Sequence, residues 1–158
     1  MSGQSSVDRV RAALVAAGAA DTIMAFPAGT RTAADAAAAV GCAVAQIAKS
    51  IVFRAGAQAV VVIASGVNRV DAAKLSALIG QPVQRAEAEW IRAVTGFAIG
   101  GVAPVGHLTP PLVVFDRDLL AFDLVWAAAG SPSHVFALAP DALARISGAL
   151  LGDIGTRA

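Results

Sequence analysis

The sequence predicts an α+β fold: a single compact domain whose helices surround a mixed, mostly antiparallel sheet or a partly closed barrel. At 158 residues, with 57% hydrophobic and 15% charged residues, the chain has the size and apolar content of one folded domain. Strand-sized apolar runs occur next to one another as well as between helices, which favours a mixed sheet over a regular doubly wound one. Since no linker and no internal repeat divides residues 1–158, we expect one domain throughout.

Helix caps and apolar spacing predict the elements of the first part of the chain. Residues 5–18 begin with serines and end at a glycine, as an amphipathic helix does. Thr32, with Asp35 three residues later and Gly41 beyond, predicts a second helix. The residues expected on the buried face of the first helix are Val7, Val10, Leu14 and Val15.

Short β-branched runs predict the strands around and after the second helix. Residues 22–26 form a short strand that Pro27 ends. A helical turn then leads into a strand around Ser50–Arg54, and residues 57–66 form the next strand. Because the connection between these two strands is short, we expect them to pair as an antiparallel hairpin.

The remaining elements follow from the same signals. Asp71 and Gly80 bound a third helix, and residues 87–96 form a fourth with acidic residues in its first turn. A final helix begins near Pro140, a position where a helix tolerates proline. Three apolar runs predict strands between the fourth and final helices, at residues 111–116, 121–130 and 134–139.

Charge and cysteine content limit the classes of function. A net charge of +1 gives no bulk attraction to a polyanion, so a nucleic-acid partner requires a local basic patch. A single cysteine, Cys42, and two histidines provide neither an internal disulfide nor a zinc-binding pattern, so we expect no metal and no cofactor. The N-terminus has no signal-peptide pattern and no apolar run is long enough for a membrane helix. We therefore expect a cytoplasmic protein with no membrane segment.

Lys49 stands out because it enters an apolar strand, in the segment "AKSIVF". Burial of an ammonium group is costly unless the group reaches water or a partner. Two interpretations stay open at this point. Lys49 is either an edge lysine whose ammonium reaches solvent, or a cation directed into a pocket, where it can hold a phosphate or a carbonyl oxygen.

The segment "TGFAIGGVAPVGH", Thr95 to His107, contains four glycines but little polarity. A dinucleotide-binding fingerprint needs a strand before it and a helix after it, whereas a helix precedes this segment and a proline follows the glycines. One interpretation is a loop in which Gly100 and Gly101 let backbone amides approach a ligand, while Pro104 fixes the exit. The other is a structural connection between a helix and a strand.

Other chemically active side chains are few. His107 is either a base or a hydrogen-bonded structural residue. Ser131 and His134 are residue types of nucleophilic catalysis, but nothing in the sequence pairs an acid with His134, and no GxSxG, P-loop or HExxH motif is present. Asp116 and Asp118 predict a turn after a strand.

Three segments in this order, "AKSIVF", "VTGFAIGGVAPVGH" and "LVVFDRDLLAFDLVWAAAGSPSHVFALAPDALARI", resemble the YbaK/prolyl-tRNA synthetase-associated editing domain family. The resemblance extends over nearly the whole chain, from the first helix to "GALLGDI". The lysine before a strand together with the GFxxGGxxPxGH block makes the resemblance specific. It implies a compact mixed sheet with helices packed around it.

The resemblance also implies a function. Family members are free-standing aminoacyl-tRNA deacylases or inserted domains of prolyl-tRNA synthetase. They hydrolyse the ester of tRNA carrying a wrong amino acid, commonly Cys, Ala or a similar small residue on tRNA(Pro), without a metal. By resemblance, Lys49 is the catalytic residue that engages the terminal adenosine and the ester. The residues expected to bind substrate are Gly100, Gly101, Val102, Pro104, Gly106, His107, Ser131 and His134.

The expected partners are the acceptor end of mischarged tRNA and prolyl-tRNA synthetase, and the oligomeric state stays open. Two alternatives also remain: a non-catalytic module that binds aminoacyl-adenosine or regulates a synthetase, and a general small-molecule hydrolase. Turnover by the purified protein separates the first alternative from a deacylase. The basic residues that either form a tRNA-binding patch or are scattered surface charges are Arg31, Arg54, Arg69, Lys74 and Arg92.

Overall fold

The fold is an α+β arrangement of five helices around one large mixed sheet, in a computed structural model that describes residues 5–27, 29–30 and 32–157. Short 3-10 helices at Val44–Gln46 and Arg117–Ala121 complete the described elements. In chain order, the helices and strands are α1 (Ser6–Ala16), β1 (Met24–Ala25), α2 (Ala33–Val40), β2 (Ile47–Ala55), β3 (Gln58–Ser65), β4 (Asn68–Val70), α3 (Ala72–Ile79), β5 (Gln84–Arg85), α4 (Ala88–Thr95), β6 (Leu112–Asp116), β7 (Val125–Ala128), β8 (His134–Leu138), α5 (Pro140–Ser147), β9 (Leu150–Gly152) and β10 (Gly155–Arg157).

The large sheet runs in the order β1-β8-β7-β2-β3-β6-β9, and β5 pairs separately with β2. The pairs β2–β7, β3–β6 and β6–β9 are parallel, and the others are antiparallel, including the predicted β2–β3 hairpin. β10 and β4 form a separate small ladder. The described strands leave the large sheet open at its two edges, β1 and β9. The predicted mixed sheet is therefore confirmed, whereas the alternative of a partly closed barrel is wrong.

The central strand β3 is buried on both sides, which explains why its sequence is a continuous apolar run. Val61 and Ile63 belong to a cluster with residues of α1, α4, α5 and the glycine-rich loop. Val60 and Val62 belong to a second cluster on the opposite face, with Leu75 of α3. The hydrophobic core therefore has a layer on each face of the sheet, and a third, small cluster joins Ala36 and Ala37 of α2 to Ile47.

Helix ends follow the predicted capping chemistry. The Thr32 hydroxyl accepts a hydrogen bond from the Asp35 N–H at 3.0 Å, and the Asp71 carboxylate accepts one from Ala73 N–H at 2.9 Å. The prediction for Val15 is wrong, because its side chain is 59% exposed whereas Val10 and Leu14 are buried. Each residue turns about 100° around a helix axis, which carries Val15 off the face that the other two share.

Strand boundaries differ more from the prediction. β2 begins at Ile47 rather than near Ser50, so Lys49 lies inside the strand and not at its junction with the helical turn. The short strands β4, β5, β9 and β10 were not predicted. Two or three residues carry no alternation pattern of their own, and only pairing with distant strands makes them extended. None of the described helices is long and apolar enough to cross a membrane.

Candidate functional site

A gap beside β2 opens into cavities of the described structure. β2 pairs with β7 only at Ile47 and Ala48, and with β5 only at Phe53 and Arg54. No described strand lies opposite residues 49–52 on this side of β2. Because the Ile47 carbonyl accepts the Gly66 N–H on the β3 side, the alternation of a strand directs the backbone groups of Ser50 into the gap.

Two adjoining cavities occupy this gap, and we call them together the β2 groove. The first has a volume of about 400 Å³ and the second about 260 Å³, and they share Ser50, Ile51, Ile99, Gly100 and Val102. The other residues of the first cavity are Thr30, Thr32, Ala33, Ala36, Ile47, Ala48, Lys49, Trp126, Ala127, Ala128 and Val135. The other residues of the second are Val52, Phe53, Arg85, Ala86 and Ile91.

Lys49 supplies the positive charge of the first cavity. Its Nζ donates a hydrogen bond to the Gly66 carbonyl at 3.4 Å. Partial burial lowers the pKa of Lys49, the nearby Arg69 lowers this pKa further, and Asp116 acts in the opposite direction. Lys49 thus lines a cavity while its ammonium is anchored by a backbone carbonyl, an arrangement suited to holding a carbonyl oxygen or a phosphate.

A buried carboxylate supports the turn that carries Gly66. Asp116 is 1% exposed, and its Oδ2 accepts hydrogen bonds from Ser65 N–H at 3.0 Å and from Asn68 Nδ2 at 2.8 Å. Its Oδ1 accepts from Asp118 N–H at 2.9 Å, which confirms the predicted turn. The sequence did not reveal that the same carboxylate also fixes the connection between β3 and β4, beside Lys49.

The glycine-rich loop borders the groove only in part. Gly100, with φ of 92°, and Val102 line the first cavity. Gly101 packs against the backbone of Ser131, and a Cβ atom at this position would lie only 2.7 Å from that backbone. Gly101 therefore permits close packing between two loops, whereas the sequence interpretation assigned it to the approach of a ligand.

Pro104, Gly106 and His107 lie elsewhere. They line a separate, open cavity of about 470 Å³ next to α1 and α5. His107 Nε2 is 2.7 Å from the Ala103 carbonyl oxygen, and its ring meets Phe97 edge-on with centroids 5.1 Å apart. Burial lowers the pKa of His107. The structure does not bring these three residues to the β2 groove, and their role in substrate binding stays a prediction.

Ser131 and His134 lie behind the wall of the groove. The Ser131 hydroxyl is hydrogen bonded to His134 Nδ1 and also accepts from Ser133 N–H at 3.1 Å. The neighbouring Pro132 carbonyl accepts from the N–H and the hydroxyl of Thr30, which lines the first cavity. This loop therefore supports both Thr30 and the glycine-rich loop without lining the groove itself.

Two contributing residues were missed by the sequence analysis. Arg9 of α1 donates to the Gly96 carbonyl at 2.8 Å and to the Gly106 carbonyl at 3.2 Å, and so fixes both ends of the glycine-rich loop. An arginine on an amphipathic helix gives no signal of such a contact. Ser50 was the other, since nothing in "AKSIVF" indicates that its backbone faces a gap in the sheet.

Two of the basic residues considered for tRNA binding have defined neighbours. Arg54 stacks over Trp90 with 4.5 Å between the guanidinium carbon and the ring centroid, near the second cavity. Lys74 is paired with Asp153 at 3.3 Å, and Arg31 lies outside the described residues. Within the described ranges, no three His, Cys, Asp or Glu side chains come together as metal ligands.

Comparisons with known proteins agree with this architecture. A solved structure of a candidate trans-editing enzyme for prolyl tRNA synthetase is 44% identical with a TM-score of 0.90, and the match covers 98% of this chain and 99% of that one. The structure of hypothetical protein APE2540 is 28% identical with a TM-score of 0.87, covering 94% of this chain and 99% of that one.

Sequence comparisons identify a relative and a protein family. The uncharacterized protein YwhH of Bacillus subtilis (strain 168) is 32% identical over 123 residues, which are 77% of this chain and 78% of that protein. Residues 27–146, which include the whole β2 groove, match the family described as aminoacyl-tRNA editing domain. This chain therefore belongs to the aminoacyl-tRNA editing domain family.

Proposed function

We propose that the protein is a trans-editing deacylase that hydrolyses the ester of tRNA(Pro) mischarged with a small amino acid such as Cys or Ala. The observation that carries the proposal is the β2 groove, in which a half-buried lysine faces a small and mostly apolar cavity. The family match supports aminoacyl-tRNA editing as the general activity. We assign the editing domain to the whole chain, residues 1–158.

In this proposal Lys49 binds the ester carbonyl and the adjoining terminal ribose. Attack by water on the carbonyl carbon places negative charge on the carbonyl oxygen, and a cation already held in a partly buried site stabilises that charge. The C–O bond to the ribose then breaks, and a proton from the attacking water passes to the leaving 3′-oxygen, which gives the free amino acid and the 3′-hydroxyl of the tRNA. An aminoacyl ester is activated, so positioning and charge stabilisation account for the catalysis.

The apolar lining of the first cavity suits an uncharged aminoacyl group. Five alanines line the first cavity, Ala33, Ala36, Ala48, Ala127 and Ala128, and Trp126 and Val135 supply larger apolar surfaces. A cavity that admits only small side chains acts as the second sieve of an editing system. Gly100 and Val102 complete the binding surface, while Gly101, Ser131 and His134 act as supports for it.

The second cavity provides a path for the acceptor end of the tRNA. It leads from Ser50 to Arg85, whose guanidinium can meet a phosphate, and Arg54 with Trp90 lies close to its end. With a net charge of +1, the protein has little general attraction for RNA. We therefore propose that prolyl-tRNA synthetase assists substrate delivery and that the protein acts in the cytoplasm.

The test is deacylation of tRNA(Pro) charged separately with Cys, Ala, Ser, Thr, 2-aminobutyrate or Pro. The wild type should hydrolyse at least one small mischarged species and spare Pro-tRNA(Pro). Lys49→Ala should lower the rate by at least about 100-fold, the scale of removing one group that stabilises an oxyanion. Lys74→Ala is the matched control, since Lys74 lies outside the groove and should leave the rate unchanged.

Three results would contradict the proposal. Full activity of the Lys49→Ala variant would show that Lys49 is not the catalytic residue. Absence of turnover on every charged tRNA, with tight binding of aminoacyl-adenosine retained, would identify a binding module instead. Hydrolysis of simple esters without any requirement for tRNA would identify a general hydrolase.

A further inference from the structure

The hydroxyl of Ser50 is buried and has no hydrogen-bond partner. Among the described buried side-chain polar atoms, only His107 Nδ1 shares this condition, and His107 lies at a different cavity. A buried hydroxyl without a partner costs stability, so native proteins seldom retain one without a ligand, water or function to satisfy it. Ser50 lines both cavities of the β2 groove, and rotation about its χ1 angle can turn the hydroxyl towards a ligand bound there.

The other hydroxyls of the groove are already engaged. Thr30 Oγ1 donates to the Pro132 carbonyl, and Thr32 Oγ1 accepts from Asp35 N–H as the cap of α2. Neither cavity has Asp or Glu among the residues described as lining it. Among the hydroxyls of the described lining residues, Ser50 is therefore the one without a hydrogen-bond partner, and its backbone carbonyl also faces the groove.

The position of Ser50 relative to Lys49 indicates which group of the ligand it meets. The two are consecutive in β2, about 3.8 Å apart at Cα, and their side chains leave opposite faces of the strand. In every aminoacyl ester, the carbon that bears the α-amino group is bonded directly to the ester carbonyl. The backbone carbonyl of Ser50 faces the gap that separates these two sides of the strand, so a ligand that holds its carbonyl at Lys49 and extends into the gap presents its amino group to Ser50.

We propose that Ser50 binds the α-amino group of the aminoacyl ester, with the hydroxyl oxygen and the backbone carbonyl accepting its N–H bonds. This inference rests on the proposed function and extends it, since it makes a free α-amino group part of the substrate class. Acyl-tRNAs without that group are correspondingly poor substrates. Ser50 recognises the group common to all aminoacyl esters, whereas the alanine-lined wall selects the size of the side chain.

The test compares Ser50→Ala with the wild type on alanyl-tRNA(Pro) and on propionyl-tRNA(Pro), which lacks only the amino group. Ser50→Ala should lower kcat/KM for alanyl-tRNA about tenfold, the effect of one hydrogen bond, and leave propionyl-tRNA hydrolysis unchanged. Because the lost hydroxyl had no protein partner, the melting temperature of the variant should stay the same or rise. Ser147→Ala, in α5, is the matched control and should alter neither substrate.

Equal loss on both substrates, no loss on either, or a lower melting temperature would each overturn the assignment. Failure of the proposed function is recognised separately, as absence of hydrolysis by the wild type. Calorimetry with the stable 3′-amide analogues alanylamido-adenosine and propionylamido-adenosine then decides the inference. Tighter binding of the alanyl analogue, lost in Ser50→Ala, supports it, and equal binding of the two analogues by the wild type refutes it.

Discussion

The ammonium of Lys49 is half-buried beside Arg69, and one backbone carbonyl, that of Gly66, accepts its hydrogen bond at 3.4 Å. Burial lowers the pKa of Lys49 below the ordinary lysine value because the charged form is poorly solvated. A lysine retained in such a position reduces the stability of the folded protein at neutral pH. In the proposed mechanism, the benefit is a cation that is already positioned when an ester enters the groove.

The cost has a defined dependence on pH. Between the lowered pKa in the folded state and the ordinary value of 10.5, the unfolded chain binds more protons at Lys49 than the folded protein does. The free energy of unfolding therefore rises with pH across that range, because the destabilising effect of Lys49 is progressively lost. Lys49→Met should be at least as stable as the wild type near pH 7, and this advantage should shrink as pH rises towards 10.5.

Thermal melting of the wild type and of Lys49→Met between pH 7 and 10.5 measures this change in relative stability. Lys74→Met is the control for the loss of any lysine. Parallel stability curves for the wild type and Lys49→Met across the whole range would contradict it.

Single residues were predictable from sequence only where their local context is unusual. Lys49 was found because a charge interrupts an apolar run. Ser50 and Arg9 were not found, because their importance depends on a gap between strands and on a loop 87 and 97 residues away. Pro104 and His107 belong to the same conspicuous segment as Gly100 but lie at another cavity, and sequence proximity alone could not separate them.

At the level of elements, α2 forms one wall of the groove and its first turn depends on a single side chain. Thr32 caps α2 and also lines the first cavity. Ala33 and Ala36 of the same helix line this cavity too. Asp71 caps α3, a helix of the same length whose residues do not line the groove. The two caps thus provide a matched pair of which only one borders the site.

Removal of either cap should cost about 1 kcal/mol of stability, as loss of an N-cap side chain usually does. Thr32→Ala should also lower deacylation, because fraying of α2 loosens a wall of the cavity, whereas Asp71→Ala should leave kcat/KM unchanged. Urea unfolding and single-turnover deacylation measure the two effects. If both variants lost activity equally, global stability and not the wall formed by α2 would control the rate.

Helix ends were predictable because caps are local. Thr32, Asp71 and the glycines that follow each helix specify their conformations within a few residues. The strand pairings that create the groove are not local. β5 has two residues, and without its pairing to Phe53 and Arg54 the far limit of the groove is undefined.

Across the whole molecule, the sheet order brings distant parts of the chain to one site. β7 pairs with β2 although about 70 residues separate them in sequence, and their divergence after Ala48 opens the groove. The loop that includes Gly100 and Val102 covers it from one face, and α2 covers it from the other. The fold class could be predicted because it depends on the balance of element types, but this convergence depends on long-range pairing.

The near-neutral charge of the molecule makes a final prediction about its affinity for RNA. Binding of tRNA(Pro) should depend only weakly on salt, because few phosphates are neutralised by a protein of net charge +1. If Arg85 meets a phosphate at the end of the groove, Arg85→Ala should weaken binding. It should also reduce the slope of log K against log salt by about 0.7–0.9, the contribution of one phosphate.

Fluorescence anisotropy of labelled tRNA(Pro) between about 50 and 200 mM salt measures that slope. The control is Arg145→Ala, since Arg145 is an exposed arginine of α5 that does not line the groove. A slope that falls equally in both variants would mean that the RNA is held by general surface charge. A slope that falls only in Arg85→Ala would place the acceptor end in the second cavity, adjoining the cavity that Lys49 lines.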